Sequence, residues 1–344
     1  MLYTSTRNSQ LTHTARKALT EGRAPDGGFF VPAPGEALSP EIARNISGRP
    51  FNDTVALVLN RLWDTSFTAH DVRLAAGRNP VRLKALANRI LVGECWHNLD
   101  GDYNRLVLNI TAHFCPDAAL TGGSWARISV GVAVLFGIFG ELMGKGLASE
   151  EKKIDVSLVS GDFTLAMAAW YARKWGIPMG NIVCTCNENN AVWGLFTHGM
   201  LRTDGISLIT YTPKADVAIP DSLERLIFEC GGVTETLRYV KHIRKGESYY
   251  PDDALLQKLR RGMYVSVVST PRMLDIIPNA YSTHDYLLSP YCALAYGGLL
   301  DYRAVSGESR RGLLLGETTP AADGEVVAKA LGIPMENLGD YIKE

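Results

Sequence analysis

The segment at 154–186 constrains the fold of this chain more than any other part of the sequence. It begins with IDVSLV, an apolar run rich in β-branched residues that is typical of a buried strand. A turn, a helix followed by the cap residue Gly176, and a second strand are predicted next, at 160–162, 163–175 and 181–186. A strand, helix and strand of this length form a βαβ unit, whose two strands are parallel. The sequence therefore predicts an α/β fold with a parallel sheet.

Other patterned segments extend this prediction along the chain. Strands are predicted at 89–95, 264–268 and 311–316, and helices at 38–46, 52–62, 104–114 and from Ser124 onward. The last helix contains an apolar run at 128–139, interrupted by Ser129 and two glycines, which predicts a buried helix. The run is shorter than the about 20 apolar residues that cross a bilayer, so we expect no membrane span.

Charge and cysteine content narrow the class of protein. A net charge of −1 over 344 residues provides no attraction for nucleic acid or for an anionic membrane. The N-terminus lacks a basic and then apolar signal, and six cysteines in a chain of this length do not indicate a disulfide framework. Cys184 and Cys186 have no second cysteine pair nearby, so we interpret them as core residues and predict no metal. We expect a reduced, cytoplasmic protein.

Ligands of parallel sheets bind at the carboxyl ends of the strands, which here precede the loops 96–104, 160–164 and 316–322. Gly161 lies just before a predicted helix N-terminus, a place suited to a phosphate. Asp162 supports a second interpretation, which we prefer: its carboxylate caps the helix and repels a phosphate dianion.

Three carboxylates lie at or after the end of the strand at 89–95, namely Glu94, Asp100 and Asp102. Such a cluster is compatible with acid–base or metal chemistry. It is equally compatible with a solvated loop, which is the interpretation we prefer because most surface carboxylates have no special role.

Six segments of the chain, taken in order, resemble the threonine synthase family. Residues 3–7 (YTSTR) and 18–32 (ALTEGRAPDGGFFVP) are similar to that family's opening. The other matches are 124–128 (SWARI), 160–163 (SGDF), 186–189 (CNEN) and 312–316 (GLLLG). The resemblance implies a fold-type II architecture with a parallel-sheet core, as in tryptophan synthase β. It also implies conversion of O-phosphohomoserine to threonine with pyridoxal phosphate (PLP), which the family holds on a lysine.

The same resemblance implies that the PLP lysine is missing. The family's motif H-G-P-T-L-A-F-K-D corresponds to residues 97–105 (HNLDGDYNR), so the lysine position falls on Asn104, and an amide cannot form a Schiff base. The cofactor's phosphate would meet Ser160, Gly161, Asp162, Phe163 and Thr164. In this segment Asp162 replaces the family's asparagine and Thr164 replaces its second glycine. Glu317 falls where the family has a threonine beside the pyridine nitrogen.

The resemblance also implies a deletion. Only 19 residues separate Asn104 from Ser124, where the family carries a mobile small subdomain. We therefore divide the chain into a threonine-synthase-like N-terminal region, 1–90, and a PLP-fold-like α/β core, 91–344. In that core, the subdomain expected after about residue 110 is largely deleted.

These departures predict a pseudoenzyme that binds a small metabolite or a partner protein and uses no cofactor. By motif position its cleft would be lined by Asn104, Trp125, Arg127, Asp162, Asn187 and Glu317. Arg127 would be the best contact for a small anionic metabolite. The predicted partners are such a metabolite, an active paralogue, or a second copy packed on the helix at 128–139, and neither nucleic acid nor a membrane.

Two alternatives stay open. The first is an active PLP-dependent lyase that acts on O-phosphohomoserine in threonine biosynthesis and holds PLP on another lysine. The candidates are the lysines nearest the βαβ unit, Lys145, Lys152 and Lys153. The second is chemistry without PLP that uses Glu94, Asp100 or Asp102.

Overall fold

The structure is a computed structural model that describes residues 1–78, 80–97, 101–203 and 207–342. Its strands are β1 (Leu2–Ser5), β2 (His13–Thr14), β3 (Phe30–Pro32), β4 (Arg82–Leu86), β5 (Ile90–Glu94), β6 (Ile154–Val159), β7 (Met179–Cys186), β8 (Met263–Val267) and β9 (Gly312–Gly316). Its α-helices are α1 (Ala15–Thr20), α2 (Pro40–Asn45), α3 (Phe51–Trp63), α4 (Ala69–Ala76), α5 (Tyr103–Phe114), α6 (Trp125–Gly144), α7 (Thr164–Lys174), α8 (Ala191–His198), α9 (Leu223–Lys245), α10 (Asp253–Arg260), α11 (Thr270–His284), α12 (Pro290–Ser306) and α13 (Gly324–Leu331). Short 3₁₀-helices lie at Pro213–Ala215 and Met335–Asp340.

The central sheet contains six strands in the order β4-β5-β9-β6-β7-β8. Every neighbouring pair is parallel except β4 and β5, which form an antiparallel hairpin. A small antiparallel sheet, β2-β1-β3, lies at the N-terminus. The predicted α/β fold with a parallel-sheet core is therefore confirmed.

The βαβ unit forms where it was predicted. β6 spans Ile154–Val159 and pairs in parallel with β7, and α7 connects them. The helix begins at Thr164 rather than at Phe163 because Phe163 has a left-handed backbone, with φ 65°. Gly176 follows the helix with φ +99°, a conformation that suits glycine. This unit places the loop 160–163 at the carboxyl edge of the sheet.

Helix α6 lies inside the molecule. It is 20 residues long and, by length and composition alone, apolar enough to cross a membrane. The apolar run at 128–139 is shorter, and from it we expected no membrane span. Helix α6 packs against α3 and α7 and is mostly buried, as the core helices of soluble proteins are. The proposal that its apolar face receives a second copy is therefore wrong, because this chain already covers that face.

The N-terminal region packs into the same core as the rest of the chain. One hydrophobic cluster contains Tyr3 and Leu59 together with residues of β6 and α7. Arg225, in α9, is fully buried and donates from Nε to the carbonyl oxygen of Phe30 at 2.9 Å. Burial lowers its pKa to about 10. The region 1–90 is thus joined to the core by packing, by this arginine and by the β4–β5 hairpin.

Candidate functional site

A cleft of about 250 Å³ lies at the carboxyl edge of the parallel sheet. It is formed by the start of α5, the first turns of α6 and α7, the loop after β6 and the segment after β9. Its lining residues are Tyr103, Asn104, Val107, Arg127, Val159, Ser160, Gly161, Asp162, Thr164, Leu165, Lys214, Tyr291 and Glu317. The structure therefore brings Asn104, Arg127, Asp162 and Glu317 together, as motif position predicted.

Asn104 lies in the first turn of α5, facing the cleft. Its backbone N–H donates to Asp102 Oδ1 at 2.8 Å, so Asp102 caps this helix. The other oxygen of Asp102 accepts from Lys214 Nζ at 2.8 Å. Asp102 is thus a helix cap and an ion-pair partner, which differs from the solvated loop that we preferred.

The loop after β6 holds a carboxylate where a phosphate would bind. Asp162 Oδ1 accepts from the backbone N–H of Thr164 at 3.0 Å, and Asp162 Oδ2 accepts from the guanidinium of Arg127. The capping interpretation of Asp162 is confirmed, although Phe163 occupies the formal cap position. A phosphate at this helix end would lie beside the Asp162 carboxylate, which repels it and already accepts from the first N–H group of α7, so the residues present do not fit the phosphate of PLP.

Gly161 lies close to the backbone of Lys214, on the segment that covers the cleft. Its φ is +43°, and a Cβ at this position would lie 3.1 Å from the carbonyl oxygen of Lys214. Phe163, which we expected to contact a cofactor, is fully buried and points away from the cleft lining. Of the five predicted phosphate contacts, Phe163 is therefore the one that the cleft does not contain.

Glu317 is the acidic group without a partner in the cleft. It follows β9, and its carboxyl forms no hydrogen bond or ion pair within the described ranges. Burial raises the pKa of this carboxyl to about 7, while the charges of Lys214 and Arg127 oppose that rise. A carboxyl with this pKa can accept or release a proton near neutral pH.

Lys214 and Tyr291 are cleft residues that sequence reasoning missed. Lys214 lies on the segment between β7 and α9, and its ammonium is 5.6 Å from the centre of the Tyr291 ring. The Lys214 backbone N–H donates to the Tyr291 hydroxyl at 3.3 Å. No periodic pattern or family motif marked either residue, so only the folded chain reveals them.

Comparisons with known proteins show what this chain is similar to. The model described as "Threonine synthase N terminus" matches residues 2–77. The chain is similar to threonine synthase-like 1 of Homo sapiens, with 26% identity over 177 residues, which cover 50% of this chain and 24% of that protein. It is also similar to threonine synthase of Schizosaccharomyces pombe, with 20% identity over 246 residues, 65% of this chain and 46% of that protein.

The chain is a threonine synthase-like protein whose residues 2–77 match the N-terminal model of that family.

Two solved structures share the fold of this chain. The PLP-bound threonine synthase from Brucella melitensis superposes with a TM-score of 0.81 at 17% identity, covering 97% of this chain and 92% of that one. Yeast threonine synthase superposes with a TM-score of 0.84 at 16% identity, covering 99% and 94%. They show the fold-type II architecture. The matched segment of this chain spans about a quarter of the full length of the threonine synthase-like 1 relatives.

Two residues that the resemblance placed in the cleft lie elsewhere in this threonine synthase-like protein. Trp125 is fully buried, with its ring centre 5.1 Å from that of Tyr3 and 5.5 Å from that of Tyr171. As the first residue of α6 it points to the core, while Arg127 points to the cleft. The expectation that Trp125 lines the cleft is therefore wrong.

Asn187 is also absent from the cleft lining. Its side-chain nitrogen contacts the hydroxyls of Thr210 and Thr212, each at 3.0 Å, and a carboxylate oxygen of Asp216 at 2.6 Å. Asn187 thus holds the bridging segment, residues 210–216, which carries Lys214. The resemblance placed Asn187 in the cleft, but its side chain contacts the bridging segment and does not line the cleft.

The remaining candidates do not form a second centre. Glu94 is buried and accepts from Arg82 and from the Tyr286 hydroxyl, and Asp100 lies outside the described residues. In the part of the chain that the structure describes, no group of three or more metal-binding side chains occurs. The three lysines considered earlier lie outside the cleft: Lys145 and Lys153 pair with neighbouring glutamates, and Lys152 belongs to the turn at Ser149.

Proposed function

We propose that this threonine-synthase-like chain is a pseudoenzyme that binds a small polar metabolite in its cleft without PLP. The observation that carries this conclusion is the side chain at the implied lysine position. Asn104 faces the cleft there, and its amide cannot bond covalently to an aldehyde. A cytoplasmic location and the absence of a resident cofactor remain predictions that accompany this proposal.

The contacts of Asp162, in the loop after β6, support the proposal that the cleft binds its ligand without PLP. Asp162 accepts from the first N–H group of α7 and forms an ion pair with Arg127. The carboxylate of Asp162 thus engages both the first N–H group of α7 and the guanidinium of Arg127. A phosphorylated ligand would have to displace this carboxylate before it could use either group.

The size and charge of the cleft suggest the class of ligand. Drug-sized ligands occupy pockets from about 300 Å³ upward, so a cleft of about 250 Å³ suits a smaller molecule. Asp102 pairs with Lys214 and Asp162 pairs with Arg127, which leaves Glu317 as the charged group without a partner among the described lining residues. We therefore propose a ligand that presents an ammonium or hydroxyl group to Glu317, rather than the anionic metabolite that Arg127 alone had suggested.

The test is a thermal-shift comparison of three small probes. We expect millimolar ethanolamine, which has both an ammonium and a hydroxyl, to raise the melting temperature of the native chain but not that of Glu317→Gln. Acetate and inorganic phosphate should have little effect. A larger stabilisation by acetate or phosphate than by ethanolamine would contradict this ligand class.

One observation favours the alternative function, an active PLP-dependent lyase. This enzyme would act on O-phosphohomoserine, the substrate that the resemblance to threonine synthase implies. Lys214 Nζ is an amine in the cleft, as a Schiff base requires, although it forms an ion pair with Asp102. Incubation with PLP, borohydride reduction and peptide mapping distinguish the two functions. We expect no stable adduct in the cleft. A phosphopyridoxyl group on Lys214, absent from Lys214→Met, would replace our proposal with the alternative.

A further inference from the structure

The free edge of the large sheet is strand β4. It is the last strand in the sheet order, and among the described residues it pairs with β5 alone. The opposite edge strand, β8, packs against α8 and α10. One side of β4 therefore presents backbone N–H and C=O groups that no other described strand uses.

A groove of about 910 Å³ runs beside this edge. Its walls are the first turn of α3, the start of α4, the end of α6 and the beginning of β4. Arg82 and Leu83 both line it, although successive strand residues point to opposite faces of a sheet. The groove therefore reaches the edge of β4 and does not lie beneath one face alone. It shares no lining residue with the cleft that contains Asn104.

The groove is basic in a chain whose net charge is −1. Its cationic side chains are Arg49, Arg73, Arg78, Arg82 and Lys145, and its acidic ones are Asp53 and Glu141. Arg82 pairs with Glu94 and Lys145 pairs with Glu141. Within the described chain, the guanidinium groups of Arg49, Arg73 and Arg78 form no hydrogen bond or ion pair, and all three residues are exposed. Three cations along the groove are therefore free to contact a ligand.

We propose that this groove binds an extended acidic peptide segment of another protein, which adds to the sheet as a strand beside β4. Such a segment would pair its backbone with the free edge, as strand-addition complexes do. Its carboxylates would lie near the three free arginines, where opposite charges attract and increase the association rate. A small anion would use the arginines but leave the backbone of β4 without a partner.

The probe is a fluorescein-labelled peptide of alternating Glu and Thr, about eight residues long, which is enough to match a strand of ordinary length. Fluorescence anisotropy with the full chain should show saturable binding that weakens as salt is added. The double variant Arg73→Ala, Arg78→Ala should bind roughly fivefold more weakly, as expected for the loss of two exposed ion pairs. The matched control removes two cations from α9, Arg244→Ala with Lys245→Ala, and should bind as the native chain does.

Two N-methylated peptides test the strand pairing separately from charge. In each, alternate amides are methylated so that one edge of the strand can no longer donate hydrogen bonds, while all carboxylates remain. We expect the peptide methylated on one edge to bind and the peptide methylated on the other edge to lose binding. Equal binding by both, or no binding by the unmodified peptide, would overturn the proposal. Inorganic tripolyphosphate that binds more tightly than the peptide would show a small-anion site and would also overturn it.

Discussion

Replacing Glu317 by glutamine should remove a pH dependence from the stability of this protein. In the folded chain burial raises the pKa of Glu317 from 4.5 to about 7. The folded state thus holds this proton more tightly than the unfolded chain does. Below pH 4.5 the carboxyl is protonated in both states, and its contribution to stability is fully present. As the pH rises from 4.5 to about 7, the unfolded chain ionises first and this contribution is lost. Above about pH 7 the carboxyl is ionised in the folded chain as well, and no further stability is lost. Glutamine does not ionise, so the variant lacks this loss.

The expected size follows from the two pKa values. At 1.36 kcal/mol per pH unit, the rise from 4.5 to about 7 corresponds to about 3 kcal/mol. Glu317 is partly exposed to the cleft, and water there screens the carboxylate. We therefore expect the free energy of unfolding of the native chain, relative to Glu317→Gln, to fall by about 2 kcal/mol between pH 5 and pH 8.

Urea unfolding followed by tryptophan fluorescence measures this difference at several pH values. Other groups that titrate in this range are present in both proteins and cancel in the comparison. Glu325→Gln, at an exposed position of α13, is the matched control and should differ from the native chain by the same amount at each pH. Native and Glu317→Gln curves that stay parallel from pH 5 to pH 8 would refute the assignment of Glu317 as a partly buried cleft carboxyl with a raised pKa.

Three further substitutions test the cleft and the core. Asp162→Asn removes the carboxylate from the start of α7, and inorganic phosphate should bind roughly fivefold more tightly by calorimetry; unchanged affinity would show that the loop does not exclude anions by charge. Gly140→Ala places a Cβ 2.8 Å from the carbonyl oxygen of Ile46 and should lower the free energy of unfolding by about 2 kcal/mol, whereas Gly339→Ala, with open space around it, should change it little. Lys214→Met removes a partly exposed ion pair and should cost about 0.5 kcal/mol in urea unfolding; a loss several times larger would mean that Lys214 has a structural role.

The sequence predicted the elements whose pattern is local. The run 154–159 has the composition of a buried strand, and it forms β6 with those bounds. Helix α6 was predicted to begin after Ser124, but its end at Gly144 was not predicted, because Glu141 and the glycines near that end interrupt the apolar pattern. Its burial was predicted as well, and burial is the reason that it offers no interface.

The cleft was predicted only where a motif fixed both the position and the direction of a side chain. Asn104 and Arg127 met that condition. Trp125 did not, because a motif at the start of a helix does not say which side chain faces the core. Lys214 could not be predicted, since it reaches Asp102 across 112 positions of sequence through a segment without a periodic pattern.

The bridging segment, residues 210–216, has a consequence for the kinetics of binding. It carries Lys214 across the cleft to Asp102, and hydrogen bonds to Asn187, Asn189 and Tyr291 help to hold it. A short 3₁₀ turn is its regular structure. A ligand that enters beneath it must wait for these bonds to open. In stopped-flow experiments the observed association rate should therefore level off at high ligand concentration, at the opening rate of the segment, and Asn187→Ala should raise that plateau.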